Sequence, residues 1–193
     1  MGLKETLSKE GIISLEFPHL MKLIEEKQFD TIYHEHFSYL SFTAVKNIFD
    51  NLGLKIFKVE ELETHGGSLR IYGSQKESLH KIHNSVDKMI EKENKFGIKN
   101  ISTYTSFQEK ANLIKNNLLE LLINLKKMNK TVMAYGAAAK GNTLLNYAGI
   151  KKDLIKYVFD KAESKQNKYL PGSHIMILDP KKIDIKKPDY LLI

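Results

Sequence analysis

Residues 131–148 read TVMAYGAAAKGNTLLNYA, and residues 154–160 read LIKYVFD. A short β-branched and apolar run (131–135) is followed by a turn of small residues. The turn passes into a helix, expected over 144–148, and a second apolar run (154–159) ends on Asp160. Strand, turn, helix, strand in this order is the opening of a parallel α/β sheet. Residues 174–178 and 188–193 supply two further short apolar runs and are expected as additional strands.

The preceding sequence has a different character. Residues 11–17 read as a buried strand, and Pro18 as the first residue of a short helix. Residues 28–41 are aromatic and polar without a period and read as a loop or an irregular extended segment. Ser41 suits an N-cap for a helix through Phe42, Val45, Ile48, Phe49 and Leu52. Residues 54–59 alternate apolar residues with lysine. The run Thr64-His65-Gly66-Gly67 turns the chain into a return strand, 68–73, making an antiparallel hairpin. Leu79, Ile82, Val86, Met89 and Ile90 form one stripe at helical spacing, and Phe107 to Leu125 a longer one, with 94–103 as the connection. His80 and His83 fall three apart on the first of these helices and read as a solvated face.

The composition narrows the chemistry. Hydrophobic residues are 42% of 193, enough for a core. Cysteine is absent, so disulfides, thiolate metal sites and a cysteine nucleophile are excluded. No apolar run approaches the roughly 20 residues of a membrane span, and the charged start lacks a signal-peptide core. A cytoplasmic protein with no membrane partner is the expectation. Lysine and arginine exceed acidic residues by 30 to 23, for a net charge of +7, which favours anionic partners. Arg70 is the single arginine. Sequence-reading nucleic-acid proteins lean on bidentate arginine, so no nucleic-acid partner is expected. The chain ends in an apolar run and starts about ten polar residues before a strand, and truncation at both ends is the expectation.

Three groups of residues are candidates for chemistry. Tyr33-His34-Glu35-His36 gathers two imidazoles, a carboxylate and a phenol. Histidine is the commonest general base. The residues leave open a hydrogen-bonded loop, an acid–base site, or a metal site lacking an evident third ligand. The second group is Gly136-(x4)-Gly141-Asn142-Thr143 after Tyr135. Small residues let amides approach an anion at a helix N-terminus, and Lys140 adds a charge suited to phosphate. The spacing is neither GxGxxG nor a triphosphate loop. Asp160 stands where a ribose-binding acid sits in a dinucleotide fold. An ordinary strand-to-helix connection explains the same residues. The third group, Lys165-Gln166-(x2)-Tyr169-Leu170-Pro171-Gly172-Ser173-His174, surrounds a Pro-Gly turn and is either a ligand loop or simply a loop.

In that order FDTIYHEHFSYLSF, HGGSLRIYGS, AYGAAAKGNTLLNYAGI and KQNKYLPGSHI resemble the S-adenosylmethionine-dependent C-methyltransferases of deoxysugar pathways. The resemblance runs from about residue 11 to 193. It implies an α/β protein in which residues 1–75 are the last strands and antiparallel hairpin of a class I methyltransferase sheet, 76–130 a connector of two amphipathic helices, and 131–193 a Rossmann-like C-terminal substrate domain. It implies His36 as the base that removes a proton beside a 4-keto group, so that the resulting enolate attacks the sulfonium methyl, with Tyr33 and Glu35 as its partners. It also implies that Tyr135, Gly136, Lys140, Gly141, Asn142, Thr143, Asp160, Tyr169 and His174 line one cleft for a nucleotide-linked sugar. No metal ligand is carried over, because the family's zinc cysteines are absent. The family's glycine-rich S-adenosylmethionine loop is missing as well. The resemblance therefore implies a C-terminal fragment or subunit, working with a separate S-adenosylmethionine-binding chain or as a homodimer. The alternative is a non-catalytic nucleotide-sugar-binding or oligomerisation module. A small NAD(P)-linked protein is disfavoured by the turn spacing.

Overall fold

Two stretches of alternating sequence, Leu54–Leu62 (β2) and Ser68–Gln75 (β3), meet across the turn at 63–67 and pair antiparallel. The turn requires three successive left-handed backbones, at His65 (φ 55°), Gly66 (φ 80°) and Gly67 (φ 107°), and glycine at two of them removes the steric penalty. The computed structural model describes residues 2–193. Contacts divide the chain into two compact units: the part up to Phe29 with Phe37–Phe107, and Asp30–His36 with Gln108–Ile193.

The first unit opens with α1 (Gly2–Thr6) and β1 (Ile13–Pro18). It continues with α2 (Leu20–Glu25), α3 (Phe42–Asn51), the hairpin, α4 (Ser85–Phe96) and α5 (Ser102–Thr105). Its sheet has the order β1-β3-β2, with β3 antiparallel to both neighbours, so β1 and β2 run the same way. Leu54, Ile56, Val59, Leu69 and Ile71 are buried beneath Phe42, Val45 and Phe49 of α3 and Val86 and Met89 of α4. Ser41 caps α3 as expected, its side chain accepting from the Ala44 amide at 3.1 Å.

Two local expectations give way to tertiary contacts. Pro18 ends β1 opposite Ser68 instead of starting a helix. The His19 amide donates to the Gly67 carbonyl at 3.0 Å, which keeps the chain extended there, and His19 becomes the N-cap of α2. Proline is tolerated at an edge strand because it gives up only one ladder donor. The stripe from Leu79 is not helical until Ser85. A bulge between Ile56 and Lys58 leaves Phe57 outside the ladder. The His83 amide donates to the Phe57 carbonyl at 2.8 Å, and the His80 ring stacks on Phe57 at 4.8 Å and 14°. Residues 79–84 thus run along β2, and Leu79 and Ile82 are exposed. His80 and His83 are not on a helix, and α4 runs into the start of the expected connection, ending at Phe96.

The second unit contains α6 (Phe107–Lys127, from Gln108 onward), β4 (Val132–Tyr135), α7 (Ala139–Tyr147), β5 (Val158–Phe159), β6 (Ile177–Leu178), α8 (Ile183–Lys186) and β7 (Tyr190–Leu192). The four strands form a wholly parallel sheet in the order β6-β5-β4-β7. Successive residues of β4 point to opposite faces. Val132 and Ala134 join Leu122, Leu125, Leu145, Val158 and Ile177 on one side, and Met133 joins Phe159 and Leu178 on the other. The stretch 76–130 is therefore shared between two cores, α4 packing in the first unit and α6 in the second. Helix α7 begins five residues earlier than the small-residue turn suggests, because Ala139 and Lys140 are good helix formers. β5 and β6 are only two residues each. The amides of Leu154 and Ile155 are taken by a turn at Lys151, and Tyr169 bridges Met176 in a local hairpin. The protein is thus mixed α/β, with a three-stranded antiparallel and a four-stranded parallel sheet. Among the described residues no helix is long and apolar enough to cross a membrane.

Candidate functional site

In the parallel sheet the chain passes from β4 to β5 and β6 on one side and returns as β7 on the other. The chain leaves the carboxyl end of β4 toward β5, with β7 on the other side of β4, and the carboxyl ends of open parallel sheets are where crevices form. Gly136 follows β4 directly. Its φ of 97° demands glycine for conformation, since an added Cβ would meet nothing within 4 Å. Its amide donates to the Phe159 carbonyl at 2.7 Å. Ala138 is the N-cap of α7 and provides no side-chain bond. The first amides of the helix therefore lack the side-chain partner that usually satisfies them.

A cavity of about 330 Å³ opens at this point. Its walls are largely apolar, including Leu118, Leu144, Leu170 and Leu192. Tyr135, Gly136, Ala138, Gly141, Asn142 and Asp30 complete them. The Asn142 side-chain oxygen is buried and has no hydrogen-bond partner. Such an unmade acceptor costs about 1–3 kcal/mol, which a ligand donor would recover. Apolar walls with a few polar groups are the common form of a small-molecule site.

Asp160, the expected ribose contact, has its carboxylate bonded within the protein. One carboxylate oxygen accepts from the Ala137 amide at 2.7 Å and the other from the Ala162 amide at 2.8 Å. Lys165 donates to the Ala137 carbonyl at 2.9 Å and lies 3.4 Å from Asp160. Burial pushes the Asp160 carboxyl up, but the Ala162 and Ala137 amides and Lys165 outweigh it and hold the pKa below the usual range. Asp160 and Lys165 fasten the 136–138 loop. The role of Lys165 is invisible in sequence because nothing local distinguishes it from the other lysines.

The remaining expected residues fall into three places. Lys140 and Thr143 lie on α7 without lining the cavity, and the Thr143 hydroxyl donates to the Ala139 carbonyl at 3.0 Å. Tyr169 and His174 line a separate depression with Lys152 and Asp153, so they do not share the cavity with Gly136 and Asn142. Tyr33 to His36 form a tight turn, the loop alternative of the sequence reading. The His36 amide donates to the Tyr33 carbonyl at 3.0 Å, and the two rings lie 4.5 Å apart at 48°. His34 and Glu35 are exposed, while Tyr33 and His36 are half-buried. Asp30–His36 groups with the parallel-sheet unit, and Asp30 is on the cavity wall, a placement with no sequence signal. Among the described residues no cluster of three or more histidines and acids could hold a metal ion.

Sequence reading also missed a buried cluster in the first unit. Glu93 is wholly buried and accepts from the amides of Phe42 (2.6 Å) and Thr43 (2.8 Å), from the Thr43 hydroxyl, and from His19 Nε2 (2.8 Å). Burial raises its pKa, but the bonds from His19 and Thr43 and the two amides dominate, and the carboxyl is held below its ordinary value.

Comparison with known proteins agrees with this architecture. The C-methyltransferase C-terminal domain matches residues 63–193. The C-methyltransferase NovU of Streptomyces niveus is 34% identical over 192 residues, covering 100% of this chain and 46% of its own length. The chain thus spans about half the length of the curated relative it matches. A family match over most of the chain, extended by a relative similar along all of it, places this protein in the C-methyltransferase C-terminal domain family.

Proposed function

We propose that this chain is the substrate-binding and proton-abstracting part of an S-adenosylmethionine-dependent C-methyltransferase acting on a nucleotide-linked 4-keto deoxysugar. The observation that carries the reading is Asp30 on the wall of the cavity that also contains Gly136, Gly141 and Asn142. It brings the segment bearing Tyr33 and His36 to the same unit as the uncapped start of α7. The fold agrees. The second unit is Rossmann-like, with a switch point beside β4. In the first, an antiparallel strand inserted between two parallel ones has the order expected for the last strands of a class I methyltransferase sheet.

In this reading the apolar walls exclude water around the sugar nucleotide. The start of α7, lined by Gly136, Ala138 and Gly141, attracts its phosphates, and Lys140 adds positive charge from outside the cavity. His36 accepts the proton from the carbon next to the ketone, and Tyr33, packed on its ring, orients the imidazole. Such a base contributes about 10²–10⁴ in rate. Glu35, exposed and in no hydrogen bond among the described residues, is the weaker partner. The described residues do not build a cradle for S-adenosylmethionine. The helix of the first unit that follows β1, α2, is preceded by Pro18 and the buried His19, and the amide of Leu20 is already bound by the Leu40 carbonyl at 3.0 Å. The donor-binding part comes from further polypeptide or a separate subunit.

Solvent exchange of the substrate proton tests the reading, with the donor-binding part of a relative supplied in trans for turnover. His36→Ala is expected to abolish both exchange and methyl transfer while nucleotide affinity stays unchanged. Exchange at the original rate would remove His36 as the base.

A further inference from the structure

The segment that carries the proposed base is a loop: residues 32–39 belong to no helix or strand. A catalytic group has to be held to within about 0.5 Å, which a loop achieves only through supports from packed elements. The chain leaves the first unit after Phe29 and re-enters it at Phe37. The supports are therefore the contacts of the residues on either side of that excursion.

On the entry side, Gln28 Nε2 donates to the Gly66 carbonyl at 2.7 Å. On the exit side, the Leu40 carbonyl accepts from the Leu20 amide at 3.0 Å, and His19 and Leu40 form a parallel bridge. Two residues further on, Glu93 takes the amides of Phe42 and Thr43. Both sides lead back to one turn. The Gly67 carbonyl accepts from the His19 amide at 3.0 Å, and the His19 ring is bonded to Glu93 at 2.8 Å. Successive carbonyls of the turn thus hold the residues that flank α2, and the circuit runs from Gln28 through the turn and His19 to Glu93 and the start of α3.

The glycines of the His65-Gly66-Gly67 turn serve this approach and not only the reversal of the chain. An added Cβ at Gly66 would lie 2.5 Å from Gln28 Nε2, and one at Gly67 would lie 2.9 Å from Lys22 Cγ. A tight turn by itself calls for positive φ and not for neighbours at such distances. The buried pair makes the same point. Burying a polar pair adds little stability over apolar side chains of similar volume, and this one fixes the His19 ring and two backbone amides from 50 residues away at a single carboxylate.

We infer that the His65-Gly66-Gly67 turn and the His19–Glu93 pair form a positioning device for the loop that bears His36, with Gln28 as the clamp on the entry side and Glu93 on the exit side. The inference rests on the proposed function, which gives that loop its task. Gln28, Gly66, His19 and Glu93 act through the loop and not on the substrate.

Three measurements test it together: solvent exchange of a saturating thymidine-diphosphate-linked 4-keto deoxysugar, deuterium uptake over residues 30–39, and thermal unfolding. Gln28→Ala removes one half-buried side chain and is expected to leave the unfolding temperature and the nucleotide affinity unchanged. Uptake over 30–39 should rise and the substrate exchange rate fall by about tenfold, since a misplacement of 1 Å costs up to about 10²-fold. His19→Ala is expected to lower the rate similarly. His19→Gln, whose amide nitrogen can still donate to Glu93, should restore most of it at unchanged affinity. Unchanged uptake and rate in Gln28→Ala, or equal rates in the two His19 variants, overturn the positioning role. His36→Ala separates the two possible failures. Full exchange in His36→Ala defeats the proposed function and this inference with it. Loss of exchange there beside a full rate in Gln28→Ala defeats this inference alone.

Discussion

Helices α3 and α7 start in opposite ways, and the contrast separates the two units. The start of α3 is filled by the protein itself. Ser41 accepts from Ala44, and Glu93, brought from 50 residues away, takes the amides of Phe42 and Thr43. The start of α7 has Ala138 as its cap and no side-chain bond. Its nearby carboxylate, Asp160, takes the amide of Ala137, one residue short of the cap. A helix N-terminus attracts negative charge in either case. In α3 a buried carboxylate of the protein supplies that charge, whereas the start of α7 is left bare beside a cavity, as the proposed function requires.

Removing the internal carboxylate is the strongest way to break the contrast. Glu93→Ala leaves His19 and two amides without their partner in the core, and a loss of about 3–5 kcal/mol is expected in urea unfolding. A loss below 1 kcal/mol would show that the cluster is not what holds α3. The same group sets a pH dependence. Its folded pKa is depressed, so its contribution is fully present above the unfolded glutamate value of about 4.3. It is lost as pH falls through the folded value. Wild-type stability should fall below about pH 4.3, and Glu93→Gln should flatten that part of the curve.

Asp160→Asn should have a smaller effect, about 1–2 kcal/mol, because the site is only partly buried and the amide oxygen can keep one of the two backbone bonds. Its diagnostic is a weaker affinity for the nucleotide at Gly136, as the 136–138 loop loosens. Thermal unfolding and titration calorimetry measure the two. Ala138→Asp is expected to act in opposite directions on the two properties. It supplies α7 with the missing cap and should stabilise the chain by about 1 kcal/mol, while its carboxylate repels an anionic ligand. A stabilised variant with undiminished phosphate affinity would show that the bare helix end is not the binding element.

Much of this was readable from local patterns. The small-residue turn after 131–135 correctly announced the parallel sheet and the position of Gly136. The HGG turn announced the hairpin, and Ser41 its cap. Other features were readable only in part. Leu79 and Ile82 sit at helical spacing, yet the unpaired Phe57 carbonyl at the bulge captures that segment. Tyr169 and His174 flank Leu170, which lines the Gly136 cavity, but they line a separate depression.

Sequence alone determined most of the elements and the family, because hydrophobic period, turn residues and helix caps act over a few positions. Tertiary structure alone decided which polar groups meet: His19 with Glu93 across 74 residues, Asp160 with Ala137 across 23, Asp30 on the cavity wall. Those pairings depend on the chain closing on itself. Burial makes each unpaired donor or acceptor costly, and no local pattern encodes which distant partner relieves it.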